Sequence, residues 1–383
     1  MIIGIDGRVL QEGNGGIFVY AKNLIENLIP ISKKHQIKIF LNQYKQNSNR
    51  VLDELTDHPN VKKYSYRFPN KLLNASLKFS NWPKIDDLIG GCDVLFFPSM
   101  MYSAWNKKTP SVLTMHDISY EFFPEFFTKK QQIWHKLMDP KKLCEKSNKI
   151  ISVSEATKND LINTYGIEAR KIKRIYSGIN KSHRPILDKE ELLRIREKYK
   201  LPNAKYIIQE GTIQPRKNYI GSLEAFQYWQ SNYSTEASKY HFLIVGHKGW
   251  KSNQLINAVR KSGFSDKIHI ITEVPENDLP ALYSLSDISL FPSFYEGFGF
   301  PPLESMACGV PVIAGANSSL VEIVKDAGLL VDPYRVDDLV RAIRSIVNDE
   351  VLAKSLRAKG LARTVDFNWE TTAKETLRVL ESV

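Results

Sequence analysis

The sequence predicts an α/β chain built of two doubly wound, parallel-sheet domains, one after the other. Three observations predict it. Short apolar runs alternate with helical patterns almost throughout, as βαβ units require. The alternation stops once, at Tyr176–Leu187 (YSGINKSHRPIL), and then restarts. The chain of 383 residues also matches two domains of about 100–200 residues each. We therefore expect Rossmann-like domains at 1–180 and 188–366, followed by a tail that reads as a final helix from Trp369.

In the first half the strand candidates are Ile2–Ile5, Ile37–Leu41, Val94–Phe97, Val112–Met115 and Ile150–Val153. Helical patterns cover Phe18–Leu28, Lys129–Lys146 and Thr157–Tyr165. In the second half the strands are Tyr206–Gln209, Phe242–Val245, Ile268–Ile271, Ile288–Phe291, Val310–Ala314 and Leu329–Val331. Helices are expected at Leu192–Lys200, Leu279–Leu285, Pro302–Cys308 and Val336–Val347. Ligands of such folds bind outside the C-terminal ends of the strands, so the residues to inspect lie just after each strand.

The three cysteines, Cys92, Cys144 and Cys308, are far apart and form no CxxC pair. A disulfide framework or zinc site does not fit, and a reducing compartment does. The N-terminus MIIGIDGRVL reads as a strand, without the basic start and long apolar stretch of a signal peptide. No apolar run approaches the roughly 20 residues of a membrane-spanning helix. These features place the expected protein in the cytoplasm. A net charge of +11 favours acidic partners. The stretch His58–Ile85 has no Asp or Glu but contains Lys62, Lys63, Arg67, Lys71, Lys78 and Lys84, interleaved with aromatics. It suits peripheral contact with an anionic membrane or a lipid-linked phosphate, and equally a solvated loop and helix. No nucleic-acid motif appears, and none is expected as a partner.

Four segments carry chemistry. Ser293–Glu304 (SFYEGFGFPPLE) follows a strand and opens a helix. Gly297 and Gly299, on either side of Phe298, allow close backbone approach. Pro301 and Pro302 suit a first helical turn, whose positive dipole end attracts phosphate. Glu296 and Glu304 suit sugar hydroxyls; an incidental acidic turn is the plain alternative. Gly211–Asn218 (GTIQPRKN) puts Arg216 and Lys217 where a helix should begin, a position the dipole disfavours unless an anion binds there. Glu12–Ile17 (EGNGGI) offers Gly15 and Gly16 for backbone contact with an anion, or makes an ordinary turn. His116–Asp117 ends the strand Val112–Met115; His116 is a candidate for a sugar hydroxyl or a proton, or a simple loop cap. Ser154 and the S-x-x-E spacing of Ser319–Glu322 read as helix caps.

Taken together and in this order, these segments resemble retaining glycosyltransferases of family 4, of the GT-B fold. The resemblance spans nearly the whole chain and is strongest from Ile207 to Asp332, through GTIQPRKN, VPENDLPALYSLSDISLFPS and EGFGFPPLESMACGVPVIA. Its most specific part is the pair Glu296 and Glu304 combined with Arg216–Lys217 about eighty residues upstream. The resemblance implies that Arg216 and Lys217 clamp the donor diphosphate, beside Gly211, and that Glu304 binds the ribose. It gives Glu296 and the Gly297–Phe298–Gly299 backbone to the transferred sugar, and Gly15 and Gly16 to the phosphate and acceptor. His116 would contact the donor sugar, and Val274 to Leu279 would line the base pocket. The helix 367–383 would pack back on the N-terminal domain.

It further implies a nucleotide-sugar co-substrate, no other cofactor and no metal, with the cations stabilising the leaving diphosphate. VLTMHDISYEFFPEFF and GTIQPRKN are similar to bacterial mannosyltransferases of O-antigen and other polysaccharide assembly. That points to GDP-mannose and to a glycan or polyprenyl-diphosphate-linked acceptor at the inner membrane face. UDP- or dTDP-sugar donors and a sugar-nucleotide 2-epimerase remain as alternatives. A nicotinamide dehydrogenase is disfavoured by the missing GxGxxG.

Overall fold

The computed structural model describes residues 1–11, 13, 15–44 and 57–383. Glu12 and Asn14 of the EGNGGI segment lie outside the described residues. The chain divides into two compact units. Unit 1 comprises Met1–Phe122, Lys129–Gly178 and Asn368–Val383; unit 2 comprises Phe123–Thr128 and Ile179–Phe367.

Unit 1 holds a seven-stranded sheet. Its strands are β1 (Ile2–Asp6), β2 (Gln36–Asn42), β3 (Val61–Tyr66), β4 (Val94–Phe97), β5 (Ser111–Met115), β6 (Lys149–Ser152) and β7 (Ile172–Arg174), in the order β3-β2-β1-β4-β5-β6-β7. Every neighbouring pair is parallel. Central strands read as unbroken apolar runs because helices cover both faces. All four residues of β4 are buried, for example.

β3 and β7, which no apolar run announced, are the two edges. β3 is VKKYSY, half-buried with Lys62 exposed, and its lysines guard an edge against pairing with another chain. Part of the basic His58–Ile85 stretch is therefore an edge strand rather than a loop. The expected single helix Lys129–Lys146 is two, Lys129–Met138 and Pro140–Lys146. Asp139 breaks it with a left-handed backbone (φ 53°), and its carboxylate accepts from the Lys142 N–H at 3.3 Å to start the second helix. Pro140 lacks the N–H that a continuous helix would use.

The last helix, Trp369–Glu381, belongs to unit 1. Trp369 packs edge-on to Tyr20 at 5.9 Å, and Thr372 donates to the Tyr176 carbonyl at 2.7 Å. A Cβ on Gly178 would stand 2.3 Å from the Trp369 nitrogen, so only glycine fits at this crossing.

Unit 2 holds a six-stranded parallel sheet of β8 (Lys205–Glu210), β9 (Tyr240–Val245), β10 (Ile268–Ile271), β11 (Ile288–Phe291), β12 (Val312–Gly315) and β13 (Leu329–Val331). Their order is β10-β9-β8-β11-β12-β13. Phe226, Trp229, Phe242, Leu290 and Ile343 are among its fully buried core residues. In each sheet the direction of winding reverses once: beside β1 and β4 in unit 1, and beside β8 and β11 in unit 2. Doubly wound sheets bind ligands at such points. Among the described residues no helix is long and apolar enough to cross a membrane.

Candidate active site

The loops after β8 and β11 are stitched together at the reversal point of unit 2. A 3-10 turn, Pro215–Lys217, follows β8, and Asn218 in a left-handed conformation caps the next helix, Tyr219–Asn232. The Arg216 carbonyl accepts from the Phe294 N–H at 2.9 Å, and the Arg216 guanidinium donates to the Tyr295 carbonyl at 2.5 Å. The six-residue segment Phe123–Thr128 braces the same place: Phe126 stacks on Phe294 at 5.2 Å, and its carbonyl accepts from the Trp250 indole at 2.6 Å.

Arg216 and Lys217 converge on one carboxylate. Glu296 Oε2 lies 2.9 Å from Arg216, and Oε1 lies 2.8 Å from Lys217. All three side chains are 14% exposed or less, so solvent screens the group weakly. Burial alone would raise the Glu296 carboxyl, but Arg216 and Lys217 outweigh it and hold it below the usual range. Burial pushes the Lys217 ammonium down, against the pull of Glu296. The Lys217 ammonium also sits 4.5 Å from the centre of the Phe291 ring. Two cations around one carboxylate leave a local charge of +1.

The first turn of helix Ser318–Val324 positions Glu296. Ser318 Oγ accepts from the Glu296 N–H at 2.9 Å. The single O–H of Ser319 is shared between the Glu296 carbonyl at 2.9 Å and the Phe298 carbonyl at 2.7 Å. Ser319 is thus not the capping residue its S-x-x-E spacing suggests. It sits inside the first turn, where its hydroxyl reaches across to the neighbouring loop. Ser154, by contrast, does cap its helix, accepting from Thr157 N–H at 3.0 Å.

Gly299 (φ 112°) begins the helix Phe300–Ala307. Pro301 and Pro302 carry no N–H, and Leu303 N–H already reaches back to the Gly299 carbonyl at 3.5 Å. This helix end therefore offers an anion its dipole more than free N–H groups. One turn on, Glu304 Oε2 is 3.3 Å from the Tyr283 hydroxyl, which lies 3.4 Å from Glu210 Oε2. Burial, then the neighbouring Glu304, raises Glu210 to about 8. Burial, then Glu276, raises Glu304 to about 7. His183, from the former linker segment, stands 3.8 Å from Glu304. Burial lowers it, and neither ring nitrogen has a hydrogen-bond partner among the described residues.

Gly211 (φ 133°) leads out of β8 with its N–H on the Val245 carbonyl, at 2.9 Å. Val274 and Leu279 pack against the Tyr206–Tyr283 core beside Glu276. Glu210, His183, Tyr283 and Ser318 carry no motif signal, and the spacing at Ser319 signals only a cap. Glu210, at the end of β8, is the one that its place in the sequence could have pointed to.

Gly15, Gly16 and His116 belong to unit 1. Gly15 (φ 88°) precedes helix Gly16–Ile31, and a Cβ there would meet nothing within 4 Å. The His116 Nε2–H donates to the Pro98 carbonyl at 2.9 Å, and the ring meets Tyr20 edge-on at 4.7 Å. Burial lowers its pKa despite Pro98 and Asp117, so the ring is neutral with Nδ1 left as an acceptor.

Two doubly wound units with paired carboxylates, an Arg–Lys pair and a helix end at one reversal point define a GT-B glycosyltransferase. Comparison with known proteins agrees. The model described as Glycosyltransferase Family 4 matches residues 14–183, and that described as Glycosyl transferases group 1 matches 193–363. The chain belongs to the GT-B glycosyltransferases of family 4. It is 29% identical over 372 residues to O-antigen chain mannosyltransferase B of Escherichia coli, covering 94% of each chain. It is 28% identical over 234 residues to O-antigen chain mannosyltransferase RfbU of Salmonella typhimurium, 61% of this chain and 60% of that one. Among solved structures, sucrose-phosphate synthase of Thermosynechococcus elongatus superposes with a TM-score of 0.77 at 20% identity, covering 100% and 98% of the two chains. WaaG, a glycosyltransferase of lipopolysaccharide biosynthesis, gives 0.70 at 14% identity, covering 99% of each.

Proposed function

We propose that the chain transfers a mannosyl group from GDP-mannose, with retention of configuration, to a saccharide or lipid-linked saccharide acceptor. The observation that carries the transferase mechanism is the buried Arg216–Lys217–Glu296 group with its surplus positive charge. Cleavage of the sugar–phosphate bond puts negative charge on the diphosphate and positive charge on the sugar. Arg216 binds the diphosphate in a fork and Lys217 as a point charge, so both stabilise the leaving group without reorganising. The ionised Glu296 keeps lone pairs for sugar hydroxyls while it holds the cations. Raised pKa values keep Glu210 and Glu304 partly protonated, which reduces their repulsion of the incoming diphosphate. His116, neutral, keeps Nδ1 as an acceptor suited to a sugar hydroxyl.

The mannosyl assignment is supported by similarity along nearly the full length to a protein named as an O-antigen mannosyltransferase. The test is binding and slow hydrolysis across a panel of nucleotide sugars without added metal. Response confined to GDP-mannose supports the assignment. Selectivity for a UDP- or dTDP-sugar replaces the donor and keeps the mechanism. Activity abolished by EDTA and restored by magnesium would overturn the role given to Arg216 and Lys217 as the complete charge-stabilising set.

A further inference from the structure

Unit 1 carries a cavity that lies apart from the Arg216–Lys217–Glu296 group, beside the helix break at Asp139. Its volume is about 230 Å³, and its walls include Lys78, Met101, Trp105, Met138, Lys142 and Lys146. Part of the wall comes from the loop after β4, at the reversal point of the unit 1 sheet, where doubly wound folds place ligands. The volume is below the roughly 300–1,000 Å³ of pockets that enclose whole drug-sized ligands. It suits a headgroup rather than a complete nucleotide sugar.

The charges in this cavity are arranged as for an anion. Three lysines face it against one carboxylate, Asp139, whose oxygen already accepts from the Lys142 N–H. Partial desolvation, then the repulsion of Lys142, Lys84 and Lys107, lowers the Lys146 ammonium, with Asp139 opposing. Lys78, Lys84, Lys107, Lys142 and Lys146 form no ion pair among the described residues, while Lys146 lies 5.9 Å from the Trp105 ring centre. Clustered like charges are unfavourable until a counter-charge arrives.

An apolar surface adjoins the cavity. Phe79 is 77% exposed and Trp82 is 64% exposed, on the same segment as Lys78 and Asn81. Ile133 and Leu137 are exposed on the helix that delivers Met138. A basic pocket beside bare aromatics matches a ligand with a phosphate at one end and hydrocarbon at the other. A nucleotide sugar has no hydrocarbon to cover Phe79 and Trp82.

We propose that this pocket binds the diphosphate of a lipid-linked acceptor among Lys78, Lys142 and Lys146, with the lipid chain against Phe79 and Trp82. Calling the ligand an acceptor rests on the transferase reading; the binding itself does not. The probe is farnesyl diphosphate titrated into the whole chain, with inorganic pyrophosphate and phosphatidylglycerol vesicles as companions. Wild type is expected to bind farnesyl diphosphate more tightly than pyrophosphate. Lys142→Gln with Lys146→Gln should weaken farnesyl diphosphate binding about 30-fold. Phe79→Ser with Trp82→Ser should bring it down to the level of pyrophosphate. These side chains lie at the surface, and unchanged melting curves confirm that the variants fold. Any phosphate bound at Arg216 is removed by Arg216→Ala and untouched by the lysine changes.

Farnesyl diphosphate binding unaffected by the lysine changes overturns the proposal. So does a lysine variant that loses only the vesicles, which would make the patch a bilayer contact. No donor is present in the titration, so a chain that transfers no sugar leaves this result standing. Sugar transfer with lysine-independent farnesyl diphosphate binding sinks the pocket and keeps the transferase.

Discussion

Each unit has an arginine near its sheet's reversal point, and the two are used differently. Arg8 follows β1 and is closed off. It donates to both oxygens of Asp6, at 2.9 and 2.6 Å, and to the Tyr102 carbonyl at 2.8 Å. One cation meets one carboxylate in a bidentate fork, and the pair is neutral and buried. Arg216 shares its carboxylate with Lys217, so the unit 2 group keeps a net positive charge. Neutral pairing of this kind marks a structural ion pair, while a buried surplus marks a place for an anion. The lysine cavity of unit 1 also holds a surplus, three lysines to one carboxylate, on side chains that are exposed or half-buried.

The largest expected effect breaks the unit 2 group. Arg216→Ala should lower kcat/KM for transfer by about 10²–10³-fold, as loss of a preorganised charge-stabilising donor does, measured with the donor from the panel. Arg8→Ala should instead act on folding. It leaves Asp6 buried and unpaired, at a cost of about 3–5 kcal/mol, and should lower the melting temperature with kcat of the folded fraction unchanged. An Arg216→Ala chain with wild-type kinetics would end the comparison.

Next comes Glu296→Gln. It keeps the size and removes the charge that the two cations share. Transfer should fall about 100-fold, while nucleotide diphosphate binding holds or tightens as the cations are released. Calorimetric titration with GDP checks the second half. Weaker GDP binding would mean that Glu296 orders the clamp rather than competing for it.

Glu210→Gln sharpens the comparison through pH. The folded state holds protons on Glu210 and Glu304 up to about 8 and 7, while an unfolded carboxyl loses its proton near 4.5. Between those values the native chain binds more protons than the unfolded one, so wild-type stability falls as pH rises. The amide removes one of the two groups. The variant should therefore gain on wild type by about 1 kcal/mol or more from about pH 5 to about pH 8.5, read from melts at each pH. A constant difference across that range would remove the raised pKa from the account.

The smallest effect is Ser319→Ala. One neutral hydroxyl donor, shared between two carbonyls of the Glu296–Phe298 loop, is lost, at about 1 kcal/mol. We expect a several-fold rise in donor KM with kcat changed less. An unchanged KM would show that the loop keeps its shape without the serine.

Much of this chain can be read directly from its residues. Apolar runs located the central strands because both sheet faces are covered and most side chains there are apolar, with buried Thr114 and Gln209 among the exceptions. The edges β3 and β7 escaped because one flank meets water and polar residues are tolerated. The spacing of Glu296 and Glu304, the Gly–Pro turn and the Arg216–Lys217 pair were legible because backbone approach and charge need particular residue types. Ser319 was misread because its capping spacing is a local signal, and the partner it serves is more than twenty positions away.

The sequence by itself determined the alternating elements, the surplus of cations and the residue types of the Arg216–Lys217 and Glu296–Glu304 segments. Only the tertiary structure decided that Arg216 and Lys217 would share Glu296, that Tyr283 would stand between Glu210 and Glu304, and that lysines from separate segments would face one cavity. Periodicity and residue type are properties of neighbours along the chain. Charge balance, desolvation and pKa depend on distances through space, which strand order sets and spacing along the chain does not.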